Sequence, residues 1–99
     1  MSDLRKLIET VEAGAWCGDT TDLLGHGGHM NAYRAFAGSL DAAKALHEAL
    51  LPGCSAVIQT NGTAQTIRPN YERHTGVTVD APARAWLIAI LKAYEAKNA

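Results

Sequence analysis

The chain has 99 residues, 47% of them hydrophobic and 19% charged, which excludes a disordered tail and fits one small α+β domain over 1–99 with a modest core. Nine Lys and Arg stand against ten Asp and Glu, for a formal net charge of -1. With no basic run to displace counterions, double-stranded nucleic acid is not an expected partner.

The opening Met1-Ser2-Asp3-Leu4-Arg5-Lys6 has neither the basic start nor the apolar core of a signal peptide, and no apolar run is long enough to span a membrane. The expectation is a cytoplasmic chain with no membrane partner. Two cysteines, Cys17 and Cys54, are too few to staple a secreted fold. Cys54, beside an apolar strand, reads as core packing.

Helices are expected over about 3–13, 40–51 and 81–97. Leu4, Leu7, Ile8 and Val11 recur at helical spacing, and the charged residues between them make the wet face of the first helix. From Ala15 to Gly38 the periodicity fails, and Gly25-His26-Gly27-Gly28-His29 holds too much glycine for regular structure, so an irregular connection is expected. Residues 31–37 fit a short strand and a helical turn equally. Ser39 is a good N-cap for the second helix, whose expected stripe is Ala42, Ala43, Leu46, Ala49 and Leu50, with His47 on the solvated side beside Lys44 and Glu48.

Pro52-Gly53 stops that helix, and Asn61-Gly62 between Ser55–Thr60 and Thr63–Arg68 predicts a hairpin with a two-residue turn. Such a turn sets Ala56 against Ile67 and Ile58 against Gln65, with Ala56, Ile58 and Ile67 toward the core and Ser55, Gln59, Thr66 and Arg68 outward. Thr75-Gly76-Val77-Thr78-Val79 predicts a third strand of an antiparallel two- to three-stranded sheet. Asp80 caps the last helix, where Trp86, Leu87, Ile90, Leu91 and Tyr94 form the widest apolar face, and Trp86, Leu87, Ile90 and Leu91 are expected to bury against the hairpin.

The chain resembles the phage α-β-α sandwich domain family. The likeness rests on Leu4–Val11, on Tyr33 followed by Ser39-Leu40-Asp41-Ala42-Ala43, Leu46 and Leu50, on Leu51-Pro52-Gly53 leading into a strand, and on Ala81-Pro82-Ala83 before Leu87 and Leu91. It implies a phage or prophage origin, hence a phage-infected or lysogenic bacterial host, and no particular reaction. The pattern is departed from at Gly25–Met30 and Asn70–Gly76, where a specific function has room to have been added.

Chemistry-bearing residues are sparse. His26 and His29 with Cys17 or His74 give the beginnings of a zinc set, but a second ligand pair is missing and no metal or other cofactor is expected. No nucleophile elbow, His-Glu-x-x-His helix or paired carboxylates are visible, so catalysis is not expected. The order helix, hairpin, strand, helix is similar to the double-stranded-RNA-binding domain, yet the start of the last helix offers Arg84 alone as a phosphate contact.

The binding surface is therefore expected between Trp16 and Phe36, at His26, His29, Tyr33, Arg34 and Phe36, with Arg68 and Arg73 as further contacts. The implied function is an accessory protein that binds a host protein complex and antagonises a defence system, as an anti-CRISPR does. One alternative is a module that sequesters a nucleotide or small anion in a glycine nest with arginine forks. Another is a minor structural or nucleic-acid-associated phage protein, and self-association into a homo-oligomer stays open.

Overall fold

The computed structural model describes residues 3–16, 21–58, 63–67, 73–78 and 81–97, and at Asp3, Thr21, Asp22, Leu23 and His26 the backbone alone. In chain order these form α1 (Asp3–Glu12), α2 (Thr21–Phe36), α3 (Leu40–Leu50), β1 (Ser55–Ile58), β2 (Thr63–Ile67), β3 (Arg73–Val77) and α4 (Pro82–Lys97). The α+β class and the three expected helices stand. The connection expected to be irregular is instead a helix, α2, broken at Gly25 (φ 77, ψ 168). That backbone conformation is open essentially to glycine alone, so one glycine makes the break while the others are carried inside helical turns.

The sheet is antiparallel in the order β1-β2-β3. Ser55 pairs with Ile67, Ala56 with Thr66, Val57 with Gln65 and Ile58 with Ala64, one residue away from the expected register. Residues 59–63 lie between the paired Ile58 and Ala64, an odd number, whereas a two-residue turn flanked by continuous pairing needs an even one. Asn61-Gly62 itself falls outside the described residues, as do Gln59, Arg68 and Asp80. Because side chains alternate across a strand, the shift exchanges the faces of β2. Thr66, expected outward, is fully buried, and Ile67, expected inward, lies on the other face.

α4 is the centre of the fold. Ala83, Ala85, Trp86, Leu87, Ile88, Ala89, Ile90, Leu91 and Ala93 are all buried, the signature of a helix surrounded by other elements rather than resting on one. The sheet packs along its Ala85, Ile88 and Ala89 side, where Gly76 of β3 allows backbone to approach backbone. α1, α2 and α3 pack on α4 as well. The expected burial of Trp86, Leu87, Ile90 and Leu91 is observed, but the residues that meet Gly76 are Ala85, Ile88 and Ala89, and Trp86 turns instead to His47 of α3. Lys92 ties the layers together by donating to the Thr75 carbonyl at 3.0 Å and pairing with Glu12 at 3.0 Å.

α1 buries the stripe Leu4, Leu7, Ile8 and Val11 and is joined to α4 by an Arg5–Glu95 pair in which both guanidinium Nε and Nη2 donate. In α3 the Ser39 hydroxyl accepts from the Ala42 N–H at 3.1 Å, completing the expected N-cap. The expected stripe needs one exchange: Ala49 is exposed and His47 is buried. His47 Nε2 lies 3.0 Å from the Cys54 carbonyl, which only a protonated nitrogen can satisfy, and its ring centroid lies 5.7 Å from that of Trp86. A polar residue on the edge of a helical stripe is thus drawn inside by one hydrogen bond and one aromatic neighbour. Cys54 itself packs against the core, half-buried.

Candidate functional site

The chain leaves α1 through a Schellman turn, in which the Gly14 N–H donates to the Val11 carbonyl and the Ala15 N–H to the Thr10 carbonyl. This turn delivers Trp16 onto α2. Beyond the break at Gly25, His29, Tyr33 and Phe36 fall at i, i+4 and i+7 and so share one helix face. Trp16 covers all three: its centroid lies 6.4 Å from His29, 5.7 Å from Tyr33 with the rings edge to face, and 5.4 Å from Phe36. Edge-to-face and tilted packing of this kind favours the rings beyond their buried area.

The far end of the cluster is locked to α4. The Arg84 guanidinium stands 4.2 Å from the Phe36 ring centroid, and its Nε and Nη2 donate to the Phe36 carbonyl at 3.3 and 3.1 Å. One residue therefore closes the C-terminal end of α2, orders an aromatic side chain and adds positive charge to the rim.

Although the cluster is tied down on one side, it is open on the other. Tyr33 is 51% exposed and Met30 39% exposed, and with Ala37, also exposed, they lie at i, i+3 and i+7 along the outer face of α2. Apolar side chains hold positions that a solvated helix would give to charges. Arg34 is exposed on the same helix.

Of the residues expected to bind, His29, Tyr33 and Phe36 are brought together, with Arg34 on the same helix. Arg73 is not with them. It lies on the sheet face turned away from α4, donating from Nη1 to Gln65 Oε1 at 3.0 Å. Arg68 and the side chain of His26 fall outside the described residues. The glycine nest expected at Gly27 and Gly28 is a helical stretch. Among the described residues, no group of three His, Cys, Asp or Glu is placed to hold a metal ion. Trp16, Met30 and Arg84 belong to the cluster and are not among the residues expected to bind. Met30 becomes legible once residues 26–36 are read as helix, whereas Trp16 and Arg84 are linked to the site only through tertiary packing.

Comparison with known proteins finds no matching family model, no matching curated protein and no matching solved structure.

Proposed function

We propose that this chain is a phage-type accessory protein that acts by binding a host protein complex, and that the complex belongs to a defence system which the binding blocks, as an anti-CRISPR does. The observation that supports binding is the Trp16–Tyr33–Phe36 cluster with its exposed rim at Met30 and Tyr33. Binding energy at protein interfaces concentrates in aromatic and arginine anchors that are held rigid before contact. Tyr33 is supported by Trp16, Trp16 by Phe36 and Phe36 by Arg84, so the exposed ring loses little freedom on docking. The defence-system part of the reading is supported by the family resemblance and the small size of the chain.

The test is phage plating on a host carrying an active CRISPR or restriction system, with and without this protein expressed. Restored plating that is lost with Tyr33→Ala and with Met30→Asp, both still folded by circular dichroism, is the expected result. Plating unchanged by the wild-type chain against every system tried overturns the antagonist reading. A thermal shift with nucleotides, unaltered by those two substitutions, would direct attention to the sequestering alternative.

A further inference from the structure

The two edges of the sheet are treated differently. On β3 the Thr75 carbonyl accepts from Lys92 Nζ at 3.0 Å, and Arg73 opens the strand. A lysine laid across an edge is a common protection against strand addition. On β1 the segment Ser55-Ala56-Val57-Ile58 contains no charge and no proline, Val57 and Ile58 are 39% and 40% exposed, and among the described strands β1 pairs with β2 alone.

We propose that the outer edge of β1 is a self-association surface, on which a second copy of this chain adds its own β1 antiparallel with Val57 at the twofold axis. The choice of occupant follows from charge and symmetry. A neutral strand is complementary to itself, since antiparallel pairing brings no like charges opposite one another. Two antiparallel edge strands related by a twofold have that axis perpendicular to the sheet, so both helical layers stay on one side and paired residue numbers sum to an even value.

Centring the axis on Val57 sets Val57 against the partner's Val57 on the open face. It also sets Ala56 against the partner's Ile58 on the α4 side, so one register covers both exposed β1 side chains. Centring on Ala56 leaves Ile58 opposite the partner's Cys54 and Val57 opposite the partner's Ser55, a poorer match. The open faces of the two copies, each carrying Val57, Ile67 and Val77, then run on as one surface. This surface is on a different layer from the aromatic cluster of α2, so the two proposals stand or fall separately.

Light scattering on the full chain, from micromolar to millimolar concentration, tests it. The wild type should dimerise with rising concentration, and Val57→Lys and Val57→Glu should each be monomeric with unchanged circular dichroism. Mixing the two variants in equal amounts should restore a dimer, because opposite charges then meet across the axis. Val77→Lys, exposed on the other edge strand, should leave the wild-type dimer intact. A wild type monomeric at every concentration overturns the proposal, as does a dimer that survives Val57→Lys. Loss of the dimer in Val77→Lys means stacked sheet faces and overturns it too, as does a monomer that takes up only a foreign extended peptide.

Discussion

Gly76 on β3 lies so near α4 that a Cβ at this position would stand 2.0 Å from the Ala85 carbonyl oxygen, 2.8 Å from Ile88 Cβ and 2.9 Å from Ala89 N. Two of the three obstacles are backbone, which a rotamer change cannot relieve. Gly76→Ala should therefore force strand and helix apart and cost at least about 3 kcal/mol, the upper part of the range for overpacking. Urea denaturation measures it. A loss below about 1 kcal/mol would show that α4 does not sit on β3 in this way.

Of the three glycines of α2, the backbone needs Gly25 and does not need Gly27. Gly25 holds a positive φ, whereas Gly27 is exposed and an added Cβ there would meet nothing within 4 Å. Gly27→Ala should raise stability by about 0.5–1 kcal/mol through better helix propensity, while Gly25→Ala should lower it by about 1–3 kcal/mol through strain. Thermal melts of the two variants side by side check the contrast. Destabilisation by Gly27→Ala would contradict a helical 26–36.

His47 and Glu48 are neighbours on α3 with opposite surroundings, the first buried against Trp86 and bonded to the Cys54 carbonyl, the second exposed. His47→Ala leaves that carbonyl without its donor and should cost about 1–3 kcal/mol. It should also shift the fluorescence of Trp86. Glu48→Ala should change stability by no more than about 0.5 kcal/mol. Equal, negligible effects from both would restore the view that His47 is solvated.

Leu87 is fully buried on α4 and Leu40 is 45% exposed at the start of α3. Leu87→Ala should cost about 2–5 kcal/mol, the transfer and cavity cost of a closed core. Leu40→Ala should cost well under half of that. Chemical denaturation in which the two losses are similar would mean that the core does not close around α4.

What the sequence determined by itself is local. The stripe of α1, the Ser39 cap of α3 and the apolar run of α4 are set by spacing and by side chains that bond within a few residues, so they are readable without a fold. The antiparallel sheet was legible for the same reason, through β-branched runs broken by turn residues.

Tertiary structure decided the rest. Local propensity argues against α2, and the helix exists because Leu24, Ala32 and Ala35 bury inward, Gly28 fits beside Leu24 and Leu46, and Trp16 packs on His29, Tyr33 and Phe36. His47 is inside because Cys54 and Trp86 come from elsewhere in the chain to meet it. Of the candidate site, Tyr33 and Phe36 were visible as aromatic residues in a stretch without periodicity, but their union with Trp16 and Arg84 depends on tertiary packing. The sheet register and its faces likewise depend on which strand side packs against a central helix, and a one-residue slip there reverses every assignment. Contacts across long stretches of chain carry no periodic trace in sequence, which is why α1, α3 and α4 could be read and the surface they assemble with α2 could not.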